Sequence, residues 1–183
     1  MKRGSFLLEI LVAFALASLI ILIILVSTTT INKVSSVLYK KYDISLKSKI
    51  LLNRISKELA KNTPPVFGKN PIINLTNNTV EFYTVRINPN SDNITPIIIT
   101  LMVNSTPSGK GILYILTKQE KDIAGNPLNT ADQQMFFIES EISKFEFANL
   151  ENVAVRIYLK NRFILRNQKY EIYYKVDVPI NIE

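Results

Sequence analysis

Residues 10–32 read ILVAFALASLIILIILVSTTTIN, and no side chain among them carries a charge. From Ile10 to Val26 every residue is apolar except Ser18. At 1.5 Å per residue the run makes a helix about 35 Å long, against a hydrocarbon core of about 30 Å. It is apolar on all faces, unlike the one-sided surface of a soluble protein's packed helix. One transmembrane pass is the expectation. The basic start Met1-Lys2-Arg3 would also suit a cleaved secretory signal, but such a signal has an apolar core of about 7–15 residues ending at small residues. Here the run is longer and continues into a second helical pattern.

That pattern occupies Lys33 to Lys61. Val34, Leu38, Tyr42, Leu46 and Ile50 fall four apart, then Leu51, Ile55 and Leu59 repeat the spacing after a one-residue step. The step keeps an apolar stripe on one face at a period slightly below four. Arg54 and Glu58 are spaced for an i,i+4 pair, and Pro64-Pro65 after Asn62-Thr63 is a strong stop. The two patterns predict one helix from Phe6 to Asn62, about 85 Å long, whose second half packs under a globular head.

Beyond the prolines the residues become β-branched and aromatic. Thr79–Ile87, Pro96–Val103, Ile112–Thr117, Met135–Ile138, Ile142–Phe147, Val153–Leu159 and Tyr170–Val178 read as strands. Turn signals lie at 88–93 and at Ser105–Gly109, and a longer polar loop is expected from Lys118 to Gln134. No helical pattern separates the strands. The fold class is therefore α+β, a long N-terminal helix packed against an antiparallel β-sheet head.

The chain has no Cys and no His, which removes disulfides, thiolate nucleophiles, catalytic triads and His-based zinc sites together. Its five glycines form no phosphate-cradling motif. No enzymatic activity, cofactor, metal or small-molecule substrate is implied. Asp122 and Asp132 share a loop but lack a regular Ca²⁺-ligand spacing. Asn74, Asn77, Asn93 and Asn104 each begin an N-x-Ser/Thr sequence, as a chain rich in Asn and Thr does by composition.

The net charge of +7 is unevenly placed. Lys33 to Lys61 holds eight basic and two acidic residues, whereas Asn62 to Glu183 holds twelve of each. The excess suits anionic headgroups or acidic partner helices. The balanced head argues against nucleic-acid binding, which depends on phosphate neutralisation.

Glu9 sits at the start of the apolar run, where a carboxylate costs up to a few kcal/mol at depth in lipid. With the preceding Lys2-Arg3-Gly4-Ser5-Phe6-Leu7-Leu8 it resembles the N-terminal signal of type IV prepilins and type II secretion pseudopilins. The resemblance implies cleavage between Gly4 and Ser5 by a prepilin peptidase and N-methylation of Ser5, although the family usually has Phe at that place. It puts Glu9 at the fifth mature position, where it pairs with the amino terminus of a neighbouring subunit. The implied parts are a leader at 1–4, a transmembrane and assembly helix at 5–32, its amphipathic continuation at 33–62 and a β-rich head at 63–183.

Leu52–Leu59 and the strand-rich stretches from Ile142 to Pro179 are similar to J-type minor pseudopilins and W-type minor pilins. This implies a structural subunit of a type IV pilus or type II secretion pseudopilus, joining other pilins or pseudopilins in a tip complex that primes filament assembly. The alternative is a pilin-like adhesive or DNA-binding module on the same anchor. Lys33, Lys40 and Lys41 after the span outnumber Lys2 and Arg3 before it, which by positive-inside counting would put the head in the cytoplasm. The family instead places the leader inside and the head outside the inner membrane, later in a periplasmic or cell-surface filament, and the motif outweighs the count.

Overall fold

The computed structural model describes residues 3–64, 69–87, 94–151 and 153–181. Met1, Lys2, Pro65 and the turn signals at 88–93, with Asn93, lie outside the described residues, as do the side chains of Arg3, Gly4 and Ser5. The chain divides into two units, Met1–Tyr42 and Asp43–Glu183. Residues from Asp43 onward in the helix thus belong with the strands.

Helix α1 runs unbroken from Arg3 to Leu59. It ends three residues before the expected Asn62 because its last turn tightens: the Lys61 and Asn62 amides bond the Glu58 and Leu59 carbonyls, three residues back. The Asn62 side-chain amide also donates to Leu59 O at 2.7 Å, and the Thr84 hydroxyl takes Lys61 O at 2.6 Å. These contacts satisfy carbonyls that a helix end leaves without partners.

Eight strands follow: β1 (Ile72–Leu75), β2 (Thr79–Ile87), β3 (Ile94–Ser108), β4 (Gly111–Lys121), β5 (Asp132–Ile138), β6 (Ile142–Leu150), β7 (Ala154–Leu165) and β8 (Gln168–Pro179). They form two antiparallel sheets, one in the order β1-β2-β3-β4-β5 and one in the order β6-β7-β8. The α+β layout of a long N-terminal helix and antiparallel sheet is as the sequence predicts.

Several boundaries differ from the predicted ones. The Ser105–Gly109 turn shrinks to Gly109-Lys110, since Ser108 pairs with Gly111 and only Gly109 takes a positive φ, +58°, as at the first central position of a II′ turn. Pro107 can lie within β3 because β2 reaches β3 no further than Met102, so no strand on that side needs its missing N–H. Gly111 allows β5 to approach closely, as a Cβ there would sit 2.5 Å from Ile138 O. Strand pairing through Lys118–Asp132 also shortens the predicted polar loop to residues 122–131.

In the second unit the two sheets close on α1 from Ile44 to Leu59 around one core. Leu51, Ile55 and Leu59 are buried, joined by Ile44 and Leu52, and meet Val80, Phe82, Leu101 and Tyr114 from the larger sheet and Ile157, Leu159 and Phe163 from β7. The earlier series does not pack: Val34, Leu38, Tyr42, Leu46 and Ile50 are all exposed. Only the later part of the stripe faces the core.

Candidate functional site

The first unit carries the residues singled out in the sequence. The backbone of Arg3, Gly4 and Ser5 forms the start of α1, so Glu9 lies little more than a turn beyond Gly4 on a continuous helix. Glu9 is exposed, as are Phe6, Leu7, Leu8 and Ile10 around it. The helix is long and apolar enough to cross a membrane, and its most apolar window is wholly exposed.

Four of the five hydroxyls in the span turn inward on their own helix. Ser18 donates to Phe14 O, Thr28 to Ile24 O, and Thr29 and Thr30 to Val26 O, at 2.8 to 2.9 Å. Such back-bonding satisfies these four donors without water, which suits a helix surrounded by hydrocarbon. Lys33, Tyr39, Lys40, Lys41 and Tyr42 follow, with Tyr39 and Tyr42 well exposed. Amphipathic rings and cationic tips of this kind mark the border of a span.

Among the described residues, no group of three or more His, Cys, Asp or Glu could hold a metal. Asp122 is engaged locally, accepting from the Asn126 amide at 2.7 Å and its side chain at 2.9 Å. Asp132 accepts from Gln134 at 3.3 Å, within its own strand.

The charged centre of the second unit is Glu58. Sequence spacing offers it to Arg54, but its carboxylate pairs instead with Lys61 at 2.9 Å and Lys118 at 3.2 Å. Glu58 is buried, and Lys118 reaches it from the helix-facing side of β4, so this pair ties helix to sheet. Burial alone would raise the Glu58 pKa, yet the two lysines override it and hold the carboxyl below its usual range. Lys118 is held above its usual value: burial opposes this, but Glu58 and Glu120 prevail.

A feature missed in the sequence is the outer edge of β5, with which no strand pairs among the described residues. A surface cavity of about 340 Å³ opens beside it, lined by Lys47, Ile50, Met135, Phe136 and Phe137. Its signal was present as the uncharged run Gln133–Ile138, which is legible as an edge only once the strand order is known.

Comparison of the chain with protein-family models, with curated proteins and with solved structures gives no match in any of the three. The architecture itself, a long apolar N-terminal helix followed by antiparallel sheet, is pilin-like.

Proposed function

We propose that this chain is a minor pilin or minor pseudopilin, a structural subunit of a type IV pilus or type II secretion pseudopilus. It is held in the inner membrane by α1, with the head outside the cytoplasm, and joins other pilins or pseudopilins in a tip complex that primes filament assembly. The observation that carries this reading is the sequence from Gly4 to Glu9 running straight into the uncharged run 10–32 of α1, a helix whose last turns lie in the core of the head.

Each part of that arrangement has a use in such a subunit. Cutting after Gly4 frees an amino terminus five positions from a carboxylate, giving neighbouring helices one positive and one negative charge to set against each other. The apolar run keeps the subunit in lipid before assembly.

Mass spectrometry of the chain extracted from membranes of cells that contain the peptidase tests the reading. Ser5 is expected as the first residue, N-methylated if the resemblance extends to that step. An intact Met1 overturns the proposal.

A further inference from the structure

Three N-x-Thr triplets lie among the described residues of the larger sheet: Asn74-Leu75-Thr76, Asn77-Asn78-Thr79 and Asn104-Ser105-Thr106. Composition explains that such triplets occur, and not where they fall. Asn104 is 27 residues beyond Asn77 in the chain, yet the fold seats these two triplets side by side. The Val103 amide bonds Asn78 O at 2.8 Å, and the Asn78 side-chain amide reaches Asn104 Oδ1 at 3.5 Å. Asn74 is on β1, the strand that leads into the same turn.

The strand register puts all three asparagines outside the core. Asn74 pairs with Glu81 and Thr79 with Met102, while their neighbours Val80, Phe82, Leu101 and Val103 are buried. Side chains alternate along a strand, so Asn74, Met102 and Asn104 share the outer face of the sheet. Asn77 stands in the connection between β1 and β2, which the Thr76 amide closes onto Thr79 O at 2.8 Å. All three asparagines are exposed, as are Thr76 and Thr106, and Thr79 is half-buried.

Each asparagine also lies where strand pairing is open. β1 is an edge strand of four residues with an irregular register. Asn77 comes before β2 begins, and β3 pairs with β2 only as far as Met102. Among the described residues no partner holds the side-chain amide of Asn74 or Asn77, and that of Asn104 meets only the Met102 sulfur at 3.4 Å.

We propose that this corner of the head is a modification site, with Asn74, Asn77 and Asn104 as acceptors of N-linked oligosaccharide. An exposed asparagine followed two places on by a hydroxyl is the acceptor such a bulky, polar group requires. In the transfer, Asn Nδ2 forms a bond to the anomeric carbon of the sugar while that carbon's bond to the oxygen of a polyprenyl phosphate or diphosphate carrier breaks. The carrier leaves with the bonding electrons, and Nδ2 gives up one proton. The co-reactants are a lipid-linked oligosaccharide and a membrane transferase that reads the Thr hydroxyl. Such donors are consumed on the outer side of the membrane, so the inference rests on the reading of the head as exported. The glycans keep this corner in solvent and leave subunit contacts to other faces of the head.

The test is peptide mass spectrometry of the full chain, extracted in non-ionic detergent from the membranes of its own cells. A glycan increment is expected on the peptides that carry Asn74, Asn77 and Asn104. Asn74→Gln, Asn77→Gln and Asn104→Gln should each remove one increment and leave the thermal midpoint unchanged, since the positions are exposed. Thr106→Ser keeps the hydroxyl and should keep the increment on Asn104, while Thr106→Val should lose it at the same midpoint. An increment on one or more of the three asparagines that follows these substitutions supports the proposal. Unmodified side chains at all three overturn it, as does a glycan confined to other residues or one indifferent to the Thr106 variants. A correct Ser5 terminus with three unmodified asparagines counts against this inference alone, whereas an intact Met1 counts against the function reading.

Discussion

The side-chain amide of Asn161 on β7 donates to the hydroxyl of Ser48 on α1 at 2.8 Å, and neither residue is exposed to solvent. Ser48 in turn donates to Ile44 O at 2.7 Å, and Ser143 donates to the Asn161 carbonyl at 2.6 Å. This polar thread crosses an apolar core and fixes which helix residue meets which strand residue. Ser48→Ala leaves the Asn161 donor buried without that partner and should cost about 1–3 kcal/mol. Denaturant unfolding checks it, the expected result being a lower midpoint with an unchanged slope.

Ile55 and Ile50 lie on the same helix with opposite surroundings, one fully buried and one half exposed. Ile55→Asp buries an unpaired charge and should destabilise the head by about 3–5 kcal/mol. Ile50→Asp should cost less than about 1 kcal/mol. Equal thermal midpoints for the two variants would show that the buried stripe is misassigned.

Acid should loosen the head through Glu58. Its pKa in the folded chain lies below the unfolded value, about 4.3 for a glutamate, so its contribution is complete at neutral pH. That contribution fades as pH falls through the lowered folded value. The exposed Glu171, held at about 2 by hydrogen bonds from Tyr173, Arg162 and Lys160, adds in the same direction. Unfolding midpoints measured from pH 7 to pH 3 should fall. Glu58→Gln should be about 1–2 kcal/mol less stable than the parent at pH 7 and show a shallower decline.

Glu9→Gln keeps the shape of the side chain and removes its charge. The variant should insert, be cut after Gly4 and fold as the parent does. If the proposed function holds, its co-purification with partner subunits, and piliation or secretion, should drop about tenfold, because the proposed charge pair would penalise wrong axial stagger. Assembly equal to the parent would remove Glu9 from the mechanism.

The helix, the fold class and the limits of β2 were legible because periodicity and β-branched content are local properties. Leu51, Ile55 and Leu59 could be placed in the core for the same reason. β1 was missed because Ile72-Ile73 is too short a signal among Asn and Thr. The β7–β8 hairpin closes through Arg166 and Asn167 with φ of 52° and 62°, the pair of positive angles that a I′ turn needs, yet Arg is not a residue that announces it. The Glu58 to Lys118 pair and the outer β5 edge depend on which strands lie side by side. No spacing along the chain encodes that.

The end of α1 is held by a residue made long after it. Asn62 donates to Pro179 O at 3.1 Å, accepts from the Asn181 amide at 2.8 Å, and its own carbonyl accepts the Asn181 side chain at 2.8 Å. All strand pairs join chain neighbours, so each meander can form as soon as its strands emerge during synthesis. The lock on the helix cannot. Thr84 on β2 and Lys118 on β4 can reach the last turn of α1 earlier, and the Asn62–Asn181 link is added only once Asn181 has left the ribosome.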